Sequence, residues 1–424
     1  MVTQKKKTSA NVMILGVGSF AHSIGTALKD AGANICTYLT RNYGHFSPTL
    51  AGKTWSREAF PNPVGLVGKN KIDVVIPQSI DWAQAPWARD LIKSGAGIFS
   101  PIGEAMRIER ERNFASKLCS QFKIPFPRAF VAATRADALK IIEKNPRPYV
   151  IKNPLCSPGS PIHTILSQSV AETRAWLQVV NDAEGIFLQE YLGPAEAGHI
   201  ALVSGGEIHS LVTNQEYKRA FNGNLGIVAG APLGGLVEQD ERDKYGLARQ
   251  LLHPLKPWLR ESNFNGPLQV TAIRNKGKWH VIEYNIRIGV TSGPMILRML
   301  KDPVDVVTRT ARNEKLKLEF KNKLNFGCSL TLAGYGYPFT QTRSPKLPLA
   351  VKGRFNCDVW WNEVARRQNG SLMSTGHRIA DVIALAPKLN SAIAKAYENI
   401  AKIRVPGSYY RTDIGQSLWP PGHD

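Results

Sequence analysis

At 424 residues, 43% hydrophobic and 21% charged, the chain is long enough for two to four lobes around ordinary cores, and no run approaches the ~20 apolar residues of a membrane span. Its net charge of +21 is the one abnormal bulk property; the basic residues are spread out, with no zinc-finger pattern, RNA-binding signature or dense basic arm, so phosphorylated small molecules are expected as partners and nucleic acid is not. Residues 1–10 are polar, the apolar run after them is too short for a secretory signal, and the five scattered cysteines form no C-x-x-C pair, so a cytoplasmic protein with reduced thiols and no zinc site is expected.

Along the chain, residues 11–15 form an apolar strand, and Gly16-Val17-Gly18-Ser19 then turns into a helix running to about Asp30. Residues 33–40, 71–77 and 98–100 read as further strands, with a helix over 82–94. This alternation predicts a doubly wound parallel sheet that ends near Pro101. Gly16 and Gly18 open a helix, so backbone N–H groups and a positive helix end face an anion there. A dinucleotide fingerprint is not completed: Ala21 holds the third glycine position, and Tyr38, Leu39 and Thr40 close the second strand without an acid.

A charged helix over 104–122 is stopped by Pro125 and Pro127. A strand over 147–152 ends in Lys152, a turn-rich loop follows at 156–161, and residues 162–166 return as a strand. Then come a helix over 171–181, a strand over 185–191 carrying Glu190, a hairpin of 201–204 with 208–213, and a helix over 248–261. Residues 268–274 pair with 279–284 across the turn Asn275-Lys276-Gly277. Two strand-rich pieces, 328–332 and 378–384, and a helix over 388–403 complete the chain, so this part is mixed α+β.

The strand over 279–284 carries the chemistry. Side chains alternate along a strand, so Glu283 and Asn285 share a face about 7 Å apart, and Arg287 continues the row. A carboxylate beside a carboxamide suits Mg²⁺ on nucleotide phosphates, with a guanidinium on the phosphoryl oxygens; alone, the same triplet describes the polar face of an edge strand. Lys152 before its loop forms a cover for phosphates, and the acids Glu190 and Glu196 stand where an adenine edge and ribose hydroxyls would lie.

That order of lysine, loop, acidic linker and acid-x-Asn resembles the ATP-grasp superfamily. Within it, nearly the whole chain is similar to the phosphoribosylamine–glycine ligase (glycinamide ribonucleotide synthetase) family. G-V-G-S-F-A-H at 16–22 stands for the family's G-x-G-G-R-E-H, E-R-E-R-N-F-A at 109–115 for E-G-S-K-x-F-A, and Q-E-Y-L at 189–192 for E-E-F-L. Q-E-Y-K-R at 215–219 matches Q-D-H-K-R, E-Y-N-I-R-I-G at 283–289 matches E-F-N-x-R-F-G, and the tail at 407–415 matches G-x-x-Y-R-x-D-I-G.

The resemblance implies an ATP-grasp fold in three parts. These are an α/β pre-ATP-grasp domain over 1–101, an ATP-grasp domain over 102–325 with a flap at about 123–192, and a small β-rich C-terminal domain over 326–424. It implies a ligase of purine biosynthesis, monomeric or homodimeric, that uses ATP with Mg²⁺ or Mn²⁺ to join glycine to phosphoribosylamine through an acyl phosphate. The roles it implies are Arg287 and Lys218 in catalysis, Glu283 and Asn285 on the metal, and Arg112, Lys152, Gly159, Glu190, Leu192 and Glu196 on ATP. Gly16, Gly18, His22, Gly226 and Gly230 fall to the phosphoribosylamine and glycine side.

The chain departs from the family on that second side: Val228 replaces an Asn, Gln78 an acid, and Val290-Thr291-Ser292 an Asp-Pro-Glu. On the ATP side the flap lacks a lysine, at Ser160, and Arg112 replaces Lys. One lost phosphate contact costs on the order of 1.5–3 kcal/mol, so ATP binding survives it. A polar acceptor site discriminates steeply when groups are missing. Two further readings therefore stay open: a carboxylate–amine ligase with another acceptor amine, and a non-catalytic nucleotide- or anion-binding protein.

Overall fold

The computed structural model describes residues 9–42, 46–156, 164–339, 343–417 and 419. The N-terminal lobe is a five-stranded parallel sheet in the order Lys53–Ser56, Asn34–Leu39, Asn11–Leu15, Val74–Pro77, Gly97–Ile98. The strand Lys53–Ser56 and the helices Phe46–Thr49 and Val64–Lys69 add to the sequence reading; each is too short to show a period. Three predicted helices are broken. Pro86 separates a 3₁₀ turn, Ile80–Gln84, from the helix Ala88–Lys93, and Pro254 falls within the stretch between Leu247–Leu251 and Lys256–Glu261. The third break, at Glu111, has no proline: extended backbone there (φ −118°, ψ 101°) divides Arg107–Arg110 from Arg112–Gln121.

A four-stranded antiparallel sheet follows, in the order Ala129–Ala132, Ile186–Glu190, Tyr149–Lys152, Ile165–Leu166. Helices Arg135–Lys144 and Val170–Val179 cover it, each started by a hydroxyl cap, Thr134 and Ser169, that accepts from the backbone N–H three residues on. Ile142, Leu177, Tyr149, Ile151, Ile186 and Leu188 form its separate core.

The largest element is an antiparallel sheet of eight strands. Its order is Lys278–Asn285, Gly266–Asn275, Glu196–Ser204, Glu207–Glu216, Gly234–Gln239, Phe326–Ala333, Arg378–Ala386, Asp358–Trp361. The last three strands lie beyond residue 325, so hydrogen bonding runs straight across the boundary expected there. The predicted helix over 388–403 is the helix Leu389–Ile400, and Ile403–Arg404 instead joins a small four-stranded sheet with Leu347–Val351, Leu372–Ser374 and Val364–Arg366. Among the described residues, no helix is long and apolar enough to cross a membrane.

A bulge sets the face of the outermost strand of the large sheet. Thr271 pairs with Glu283 but Ala272 pairs with Val281, which leaves Ile282 as the extra residue. Trp279 and Val281 before the bulge, and Tyr284 and Ile286 after it, therefore enter the same core despite opposite parity. Glu283, Asn285 and Arg287 are thereby turned to the other face.

Candidate active site

On that face, four strands and one helix start bring their charges together. Lys218, just past the strand Glu207–Glu216, places Nζ 2.9 Å from Glu283 Oε1, 2.9 Å from Glu196 Oε1 and 3.8 Å from Glu216 Oε2. Arg112, first residue of its helix, lies 4.0 Å from the other Glu283 oxygen and donates Nε–H to the Asn153 carbonyl at 2.9 Å. Lys152 is buried and donates to Gln189 Oε1 at 2.8 Å and to the Ile282 carbonyl at 3.4 Å. Asn285 donates its amide to Tyr284 O at 2.8 Å, which leaves its Oδ1 without a donor among the described residues. Glu283 and Asn285 thus offer the hard oxygen ligands a divalent cation requires.

Electrostatics bind this group into one unit. Burial alone would raise the Glu283 carboxyl, but Lys218, Lys152 and Arg112 together hold it well below the usual carboxylate range. Burial likewise works against the Lys218 ammonium, yet Glu196, Glu283 and Glu216 keep it well above its ordinary value. Lys152 goes the other way: burial and the Arg112 charge push it down to about 7. Burial likewise pushes the Glu216 carboxyl up, with Glu196 and Glu283 adding to the rise against the pull of Lys218.

Other expected residues fall differently. The pairing of Lys152 with Phe187 and of Val150 with Gln189 puts Gln189, not Glu190, on the cleft side. Glu190 lies on the Tyr149 face and is held by Arg147 at 2.7 Å. The Leu192 carbonyl accepts from Asn275 at 2.9 Å, and Gly159 lies outside the described residues. Gly226 (φ +77°) and Gly230 belong to an exposed turn region around the hairpin Arg219–Phe221 and Leu225–Val228, tied to Lys218 by the Ala229 N–H. Buried Arg411 donates to Arg219 O and Asn224 Oδ1 and pairs with Asp413, which shows what the Y-R-x-D tail motif does: it anchors that hairpin.

At the N-terminal turn, Gly16 N donates to the Tyr38 carbonyl at 3.1 Å, and the next-door amides of Val17 and Ser19 have side-chain partners. Val17 N donates to Gln78 Oε1 at 2.9 Å and Ser19 N to Asn362 Oδ1 at 3.2 Å. Gly18 takes φ +57°, and a Cβ there would collide with Asn362. His22 sits beside this turn. Its ring is buried edge-on to Trp360, Nδ1 accepts from the Trp361 N–H at 3.1 Å, and burial pushes it down to about 4, so it carries no charge to a phosphate at neutral pH.

Behind the sheet, His199 Nδ1 lies 3.9 Å from Asp240 and 4.0 Å from Asp243. The two acids already accept from Thr213 and from the N–H groups of Lys244, Ala248 and Arg249, so they brace a turn. Gln189, Glu216 and Glu109 are site residues that sequence reasoning left without a role. For Glu216 the signal was present, since it lies two residues before Lys218 and so on the same face.

Residues 110–291 match the profile of the phosphoribosylglycinamide synthetase ATP-grasp (A) domain, and residues 328–417 that of the phosphoribosylglycinamide synthetase C domain. The chain belongs to the phosphoribosylglycinamide synthetase family. Among family relatives, the phosphoribosylamine–glycine ligase of Leptospira interrogans is 24% identical over 374 residues, 84% of each chain. That of Leifsonia xyli is 26% identical over 432 residues, 95% of this chain and 99% of its own. The crystal structure of the Thermotoga maritima phosphoribosylamine–glycine ligase superposes with a TM-score of 0.76 at 22% identity, covering 95% and 99% of the two chains. The biotin carboxylase domain of Hydrogenobacter thermophilus 2-oxoglutarate carboxylase, solved with MgADP, gives 0.69 at 15% identity, covering 95% and 91%. The family's fold accounts for the N-terminal parallel sheet, the central antiparallel sheets and the small C-terminal β sheet, with the charged cluster between the four-stranded sheet that carries Lys152 and the large sheet.

Proposed function

We propose that this chain is the ligase that joins glycine to phosphoribosylamine at the expense of ATP, giving glycinamide ribonucleotide for purine biosynthesis. The observation that carries this reading is the single charged unit that Glu283, Lys218 and Glu196 of the large sheet form with Arg112 and Lys152 opposite them, in a family member. Glu283 and Asn285 would hold a Mg²⁺ or Mn²⁺, which would supply charge neutralisation at the phosphates. Lys152 and Arg112 receive the phosphate oxygens from the flap side, and Arg287 orients the group being transferred.

The glycine carboxylate attacks the γ-phosphorus in line, forming an acyl phosphate and releasing ADP. The phosphoribosylamine nitrogen then attacks the acyl carbon, phosphate leaves, and the nitrogen gives up a proton. Positioning and charge neutralisation do most of this work, so no nucleophilic side chain is needed. All five cysteines are free thiols, which suits a reducing cytoplasm. The test is release of ADP and phosphate with glycine and freshly generated phosphoribosylamine; no turnover above a Glu283→Ala control sinks the reading.

A second reading keeps the chemistry and changes the acceptor amine. It is favoured by the exposed apolar hairpin residues Leu225 and Ile227, and by buried Thr291 and Ser292 where the family carries a Pro and an acid. Stimulation of ATP hydrolysis by other amines, with none by phosphoribosylamine, would select it.

A further inference from the structure

Glu109 is a carboxylate only 5% exposed, in the last turn of the short helix Arg107–Arg110, and the reaction outlined above gives it no part. A charge so buried is costly unless fully partnered. Its partners are consecutive residues at the end of the ligand strand: Oε2 accepts from the Ile286 N–H at 2.6 Å, and Oε1 from Arg287 Nε–H at 3.1 Å. Among the described residues, Nε is the only Arg287 donor engaged. A guanidinium held through Nε keeps the edge formed by its two terminal nitrogens free, and that edge matches two oxygens of a carboxylate or phosphoryl group.

The surroundings add a reason for the placement. Just after Glu109 the chain is stitched to the flap side, with Cys156 N donating to Arg110 O at 2.8 Å and Arg112 N to Pro154 O at 3.0 Å. One short segment therefore contacts the flap through Arg110 and Arg112 and the start of the Arg287 turn through Glu109. We propose that Glu109 is the positioning residue that aims Arg287 at the substrate oxygens, an assignment that rests on the ligase reading.

The substitution Glu109→Gln tests this sharply, because both oxygens accept from N–H groups and an amide must turn its own NH₂ against one of them. Turnover should fall about 100-fold, the scale of a misplaced catalytic group, while the KM for ATP stays within about threefold. In an Arg287→Lys background the same substitution should cost less than about threefold more, since the group it positions is already gone. Undiminished turnover in Glu109→Gln, or losses that multiply in the double variant, overturn the proposal. Should Glu109→Gln fail to fold, Glu109→Asp carries the test, keeping the charge but shortening its reach. If the wild type does not turn over with glycine and phosphoribosylamine, it is the substrate assignment that fails. The Arg287 Nε–H resonance, identified by its loss in Arg287→Lys, then decides: lost or shifted in Glu109→Gln it supports the proposal, unchanged it overturns it.

Discussion

The glycine turn at residues 16–19 and the cluster around Glu283 both have the sequence character of phosphate sites, and the structure builds them in opposite ways. At the turn, amide donors face the side-chain oxygens of Gln78 and Asn362, and the nearby histidine is held neutral by burial. At the cluster, acids and cations hold one another, with Lys218 placed against Glu196 and Glu283. The first site depends on shape and fixed dipoles. The second depends on charge, so a metal and a triphosphate can rearrange it. Substitutions that remove charge should therefore damage the cluster most, and substitutions that alter shape should damage the turn.

The largest effect is expected from Glu283→Gln. Lys218 keeps Glu196 at 2.9 Å, so the ligand-free protein should still fold. Wild-type protein should gain ~2.7 kcal/mol from Mg-ATP at a hundredfold over its dissociation constant, and the variant should lose most of that gain. Turnover should fall by about two powers of ten or more, the scale of losing one charged contact from a preorganised site. Equal Mg-ATP thermal shifts in the two proteins would remove Glu283 from the metal site.

Next comes pH. His22 titrates near 4 in the folded protein against 6.5 for the free side chain. The unfolded chain therefore takes up a proton that the folded protein refuses. His22 should contribute no pH dependence well above pH 6.5, and stability should decline as pH falls through 6.5 and on through 4, by about 3 kcal/mol in all. His22→Asn keeps an acceptor for the Trp361 N–H and should flatten that decline in urea titrations run from pH 7 to 4. An unchanged slope would mean that other groups carry the acid sensitivity.

The smallest effect tests shape at the turn. Gly18→Ala places a Cβ against Asn362 on a backbone with positive φ, and should cost about 1–3 kcal/mol. In an Asn362→Gly background only the backbone part should remain, about 1 kcal/mol. Equal costs in the two backgrounds would show that Asn362 does not close the turn.

The sequence by itself determined the elements whose signal is local. Alternation over a few residues placed Glu283 and Asn285 on one face, the repeated strand–helix rhythm gave the N-terminal parallel sheet, and the ordered motifs gave the family. What only the tertiary structure decided depends on residues far apart in the chain. The bulge at Ile282 is defined by pairing with Thr271 and Ala272, and it turns the whole ligand row away from the core. Gln189 rather than Glu190 faces the cleft because pairing with the strand Tyr149–Lys152 sets its side of the sheet. Asn362 caps an amide 343 residues earlier, and Glu109 reaches Arg287 across 178 residues. Such contacts leave no period in the sequence, because chain separation and spatial separation become independent once the sheets fold over one another.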